Sequence, residues 1–134
     1  MREPIWIGLT ETLVLHDMQL AAFGGRAGVR EIGLLESALA RPRNLLAYQR
    51  PKPSLQRLAA AYAFGIAKNH PFVDGNKRTG LIVAFVFLGR NGIEISASEE
   101  DAYQTFIALA SGKLSEQQLT GWMDRNTRAG PGLL

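Results

Sequence analysis

The stretch "LAAAYAFGIAKNHPFVDGNKRTGLIVAFVFLG", Leu58 to Gly89, decides how this chain is built. Two apolar runs, 58–67 and 81–89, flank the polar segment Asn69 to Gly80. Wound as a helix, the first run is apolar on nearly every side, which predicts a helix buried at the centre of a domain. The second predicts another central helix, from about Lys77 to Arg90. Arg90 suits the negative helix end, and Asn91-Gly92 supplies the stop. Between these two stand one histidine, one aspartate and the triplet Asn76-Lys77-Arg78. Polar groups in such a place are costly unless something binds or reacts there.

Outward from this pair the pattern stays helical. Ser54 is placed to cap the helix that runs to about Lys68. Upstream, Thr10 to Phe23 reads as an amphipathic helix stopped by Gly24-Gly25, and "GGRAGVRE" as a glycine-rich loop. A further helix covers about Glu31 to Ala40 and is expected to end at Pro42, leaving "RPRNLLAYQRPKP" as an exposed loop. "IWIGL" at the start reads as a short strand or an extended lead-in. Downstream, Ile93-Glu94-Ile95 is a short extended link. Ser98 with Asp101, and Ser115 with Gln118, open two more helices by capping-box chemistry. Residues 127–134 are expected to fray. The expectation is an all-α fold of about six helices in one domain over 1–134, with a possible short extended segment at its N-terminus.

Composition narrows the function. Hydrophobic content of 46% against 20% charged residues is that of a globular chain. The absence of cysteine removes disulfides, thiol catalysis and thiolate metal sites, and is compatible with a reducing cytoplasm. No signal peptide is visible, and the longest apolar run, Leu81 to Leu88, falls far short of the ~18 residues a membrane span needs. The expected location is cytoplasmic. A net charge of +3 mildly favours an anionic partner, but the basic residues lack the aromatic interleaving of single-strand binders, so direct nucleic-acid binding is not expected.

The central segment carries the chemistry. Gly75-Asn76 begins a helix whose first N–H groups have no partner inside it. Lys77 and Arg78 occupy its first turn, the positive end of the macrodipole, which disfavours cations by ~0.3–1 kcal/mol each at exposed sites. A bound phosphate reverses the sign, since it accepts hydrogen bonds from the free N–H groups and from both side chains. Gly75 lets the anion approach the backbone closely. Asp74 has two readings: an ordinary N-cap, or a ligand for Mg²⁺, a hard cation that bridges carboxylates to phosphates. His70 is either a cap for the preceding helix or a general base, since imidazoles titrate near neutral pH; its charged neighbours favour the base. His16 lies within the first helix and reads as structural. No Walker A loop, G-x-G-x-x-G or H-E-x-x-H occurs.

"HPFVDGNKRTG" resembles the signature of the Fic/Doc superfamily, H-x-F-x-[DE]-G-N-x-R-x-x-R in its adenylyl-transferring Fic branch. His70, Phe72, Asp74, Gly75, Asn76 and Arg78 match in order and spacing. "GGRAGVREIGLLESALARP" and "FVFLGRNG" look like the Doc branch, the death-on-curing toxins, so the likeness runs from about Thr10 to Gly92. Two departures from the Fic pattern matter. Lys77 replaces a small residue, and Leu81 stands where the second arginine would be, one turn above Lys77. The anion site is kept with its charges rearranged, so a nucleotide should sit differently.

The Doc branch shares both substitutions, and the resemblance implies kinase chemistry: the γ-phosphoryl group of ATP passes to a threonine of elongation factor Tu or a similar translation protein, arresting translation. It implies His70 as the base, Asp74 as the Mg²⁺ ligand, and Gly75, Asn76, Lys77 and Arg78 as the phosphate grip. The inhibitory motif [ST]-x-x-x-E-[GN] of many Fic proteins is missing; Ser96 and Glu100 have its spacing, but Asp101 follows. An external restraint is therefore implied, a Phd-like antitoxin whose tail folds against the toxin. The resemblance also suggests that the region Arg41 to Pro53 docks the target segment. Two other functions compete: a Fic-type adenylyl transferase on a protein hydroxyl, and a catalytically idle binding module that pairs with a DNA-binding antitoxin.

Overall fold

The computed structural model describes residues 3–130. Its elements are α1 (Leu9–Phe23), α2 (Ile32–Tyr48), α3 (Leu55–Asn69), α4 (Asn76–Arg90), β1 (Ile93–Ile95), α5 (Glu99–Ala110), α6 (Glu116–Arg125) and β2 (Thr127–Ala129). The expected all-α architecture of six helices is what forms, with one small antiparallel ribbon added.

The two apolar runs become α3 and α4, which pack most extensively against each other. Gly80 explains how closely: a Cβ there would lie 2.6 Å from the carbonyl oxygen of Ala63, so the two backbones almost touch. Leu58, Tyr62 and Ile66 of α3 and Val83, Phe87 and Leu88 of α4 are completely buried. The other helices cover this pair, α2 and α6 against α3, and α1 and α5 against α4. Leu35, Ala38 and Leu39 enter the core from α2, and Leu119 and Met123 from α6. Ser54 caps α3 by accepting from the Arg57 N–H, and Ser115 and Gln118 form a reciprocal capping box on α6. At α5 Ser98 Oγ accepts from Asp101 N–H, the serine half of the box.

The expected loop from Arg41 is corrected. Helix α2 continues through Pro42 to Tyr48, and only the residues from Gln49 to Ser54 connect it to α3. Proline cannot bond the carbonyl four residues back. That carbonyl belongs to Ala38, which faces Gly65 of α3. Burial of Leu35, Ala38, Leu39 and Pro42 along one face outweighs the lost bond. The fraying tail is corrected as well: Ile93, Glu94 and Ile95 pair in register with Ala129, Arg128 and Thr127. Gly130 N–H continues the pairing to Gly92 O, while 131–134 lie outside the described residues. The opening segment is an extended lead-in rather than a strand. Asn91 exchanges two hydrogen bonds with the backbone of Ile5, and the Tyr62 hydroxyl accepts from Ile7 N–H. No described helix is long and apolar enough to cross a membrane.

Candidate functional site

Helix α3 ends at Asn69, and His70 follows as its C-cap in the left-handed region at φ 54°. Among the described residues it is the one non-glycine with a positive φ. Such a conformation costs about 1–3 kcal/mol and persists only where the surroundings enforce it. Here Arg30 enforces it. Its Nε and Nη2 donate to the His70 carbonyl at 3.0 and 2.8 Å, and Nη2 also reaches the Asn69 carbonyl. These are carbonyls that a helix end leaves without partners, and a cation suits that end of the dipole. The capping is done by the His70 backbone, so the imidazole is left exposed, with no hydrogen bond among the described residues.

The turn that follows is held from both sides. Phe72 is completely buried. Its N–H donates to the Asn76 side-chain oxygen and its carbonyl accepts from the Asn76 amide, at 2.8 and 2.9 Å. The side chain of Asn76 therefore closes the loop, and what it can offer an anion is its backbone N–H. From outside, the glycine-rich loop lies along the motif as a short antiparallel bridge between Val29 and Phe72. Arg30 N–H donates to Pro71 O, and Val73 N–H to Gly28 O. Gly25 and Gly28 have positive φ, and a Cβ on Gly25 would press on Asp74 at 3.2 Å.

Asp74 does not cap α4. Gly75 is the N-cap residue, at φ 80°, with no side-chain cap, and Asp74 Oδ2 instead accepts from Arg26 N–H at 2.8 Å. The N–H groups of Gly75, Asn76 and Lys77 have no acceptor among the described residues. Lys77 is half-buried in the first turn of α4. The Arg78 guanidinium lies 4.4 Å over the ring of Phe23. Leu81, one turn above Lys77, is packed in the core at 3% exposure.

One turn thus brings together an exposed imidazole, a carboxylate with one oxygen engaged, free N–H groups and two cations. That donor set fits a nucleotide with Mg²⁺. Among the described residues no group of three metal-binding side chains exists, so Asp74 would share the cation with phosphate oxygens, the arrangement Mg²⁺ prefers. A cleft of about 720 Å³ lies instead at the other end of α3, beside Arg57, Glu116 and Asp124. Its Glu116 is already paired with Arg41 and Arg57.

The six residues singled out from the sequence all lie on this turn. The clamp residues Arg26 and Arg30 were not singled out. Their signal was the glycine pattern of "GGRAGVRE", which marked a loop without saying what it touches. In the region from Arg41 to Pro53, Arg43 stands over Trp6 from within α2, and Arg50 donates to Gln49 O at the end of that helix.

Residues 6–88 match the model of the Fic/DOC family. The chain is 42% identical over 92 residues to a protein named Toxin Doc from Mycolicibacterium smegmatis, covering 66% of this chain and 71% of that one. It is 33% identical over 115 residues to a protein named Protein kinase doc from Escherichia phage P1, covering 86% and 90%.

Proposed function

The chain belongs to the Fic/DOC family, on its Doc side, and from that premise we propose that it is the toxin of a toxin–antitoxin pair, a protein kinase that transfers the γ-phosphoryl group of ATP to a threonine hydroxyl of elongation factor Tu or a similar translation protein. One observation carries the reading: the His70 imidazole is exposed and uncommitted while its backbone is fixed by Arg30. A base needs that combination of fixed position and open access.

Each residue then has a task. An imidazole nitrogen of His70 takes the hydroxyl proton as the oxygen forms its bond to the γ-phosphorus, and the bond to the β–γ bridging oxygen breaks, releasing ADP. The free N–H groups of Gly75, Asn76 and Lys77 donate to phosphate oxygens, and Lys77 and Arg78 add charge. Asp74 would hold Mg²⁺, which neutralises phosphate charge when bound. Transfer of this kind depends mainly on positioning and charge, which so few groups can supply. Leu81 supports phosphoryl over adenylyl transfer, because the cation that the Fic pattern places there is missing. A small antitoxin of the Phd type is the expected partner, and the described residues include no inhibitory [ST]-x-x-x-E-[GN] helix to replace it.

The test is the intact mass of elongation factor Tu after incubation with ATP and Mg²⁺, using wild type and His70→Ala. Wild type should add a phosphoryl group and His70→Ala nothing, with its helical content unchanged. Addition of AMP would establish the adenylyl transferase instead. Growth arrest that survives His70→Ala would establish the idle binding module.

A further inference from the structure

We infer that His16, on α1, is a positioning residue for the phosphate-binding turn, acting by orienting and polarising the Gly75 N–H. This rests on the reading of that turn proposed above and adds to it a residue from outside the motif.

His16 is 3% exposed. Its Nε2 lies 2.7 Å from the carbonyl oxygen of Asp74, 58 residues away. A carbonyl only accepts, so Nε2 carries the hydrogen, and it does so in the neutral Nε2–H tautomer and in the imidazolium alike. The ring stacks flat on Phe72, with centroids 3.7 Å apart and planes 8° from parallel. Its Cδ2 and Nε2 also lie 3.6 Å from where a Cβ of Gly75 would stand. One side chain therefore forms the floor under residues 72, 74 and 75.

The carbonyl of Asp74 and the N–H of Gly75 belong to the same peptide unit. In a trans peptide they point in opposite directions. A donor that holds the carbonyl toward α1 thereby aims the Gly75 N–H away from it, out of the core. Gly75 needs such a restraint, since glycine at φ 80° tolerates rotation of the preceding peptide better than any other residue. Donation to the carbonyl also polarises the amide, strengthening the N–H as a donor. Asp74 is consequently fixed twice, its carbonyl by His16 and its carboxylate by Arg26 N–H. A merely structural histidine would need the stack; it would not need a donor aimed at this one carbonyl.

Two substitutions separate stack from donor. His16→Phe keeps the ring and loses the N–H. His16→Gln keeps a donor and loses the ring. The Mg²⁺–ATP dissociation constant, measured by calorimetry, should rise about tenfold in His16→Phe, the scale on which supporting partners of ligand groups act. In His16→Gln it should stay within about threefold of wild type. KM for ATP should follow the same order, with kcat changing less. Without nucleotide, the Gly75 amide resonance should move in His16→Phe and return toward wild type in His16→Gln. A Gly75 resonance unmoved by His16→Phe overturns the inference. So does a folded His16→Gln that binds ten times more weakly than wild type. Asp74→Ala run alongside tells the two failures apart: if it binds Mg²⁺–ATP like wild type, the nucleotide reading of the turn falls, while the Gly75 resonance still decides the role of His16.

Discussion

His70 shows what a single residue can require of its neighbours. Its left-handed backbone is unfavourable by itself, and Arg30 is the group that holds it. Hydrogen bonds from a charged donor are worth ~1.5–3 kcal/mol, enough to offset the cost of one αL residue. Arg30→Ala should therefore release the turn. We expect a loss of stability of about 1–2 kcal/mol, since the arginine is exposed. With His70 as the proposed base, the transfer rate should fall at least tenfold, because a small displacement of a base costs that much. Arg30→Lys should recover little, as lysine lacks the planar fork that reaches two carbonyls at once. Rates and urea midpoints for the three proteins check this; a wild-type rate in Arg30→Ala would disconnect the clamp from the chemistry. The motif residues were legible in the sequence because they are contiguous and match a known spacing. Arg30 and His16 were not, because their partners are backbone carbonyls 40 and 58 residues away, and a carbonyl leaves no mark in a sequence.

At the scale of elements, the site exists because α3 and α4 can approach closely. Gly80 sets that approach, and replacing it tests two opposed effects. Alanine favours a helix over glycine by about 1 kcal/mol. The added methyl would meet a backbone oxygen at 2.6 Å, and overpacking of this kind costs about 1–3 kcal/mol. A carbonyl held in a neighbouring helix cannot swing aside as a side chain can, so the clash should win. Gly80→Ala should lower the urea midpoint without changing the slope; a rise in the midpoint would mean that the helices part at little cost. The helix pair was readable from apolar run length alone. The end of α2 was not, because proline argues locally for a stop while Leu35, Ala38, Leu39 and Pro42 argue for a continued buried face. Burial is decided by α3, which lies beyond any local window. The pairing of β1 with β2 escaped for the same reason, since each strand is only three residues long and its partner is more than 30 residues away.

Across the whole molecule, side chains tie distant segments to the central helices. Glu116 joins α6 to Arg41 of α2 and Arg57 of α3, and Tyr62 joins the lead-in to α3 through Ile7. Tyr62 is the tie whose strength depends on pH. Burial pushes its phenol above the usual value near 10, against the smaller lowering effects of the Ile7 hydrogen bond and the Arg43 charge. A raised pKa of this sort means that the fold prefers the neutral phenol. Between the two pKa values the native state holds more protons than the unfolded chain, so stability falls as pH rises. The contribution is present in full below about pH 10 and is lost as the pH climbs through the folded value. Tyr62→Phe should be less stable than wild type at neutral pH by about 1–3 kcal/mol, since Ile7 is left with unpaired buried backbone groups. Above pH 10 its stability should decline less steeply, because the buried ionisation is gone while the rest of the chain is the same in both proteins. The gap between the two should therefore narrow with rising pH. Urea unfolding at pH 7 and at several values above 10 measures it, and a constant gap would show that the Tyr62 phenol ionises as freely in the folded protein as in the unfolded chain.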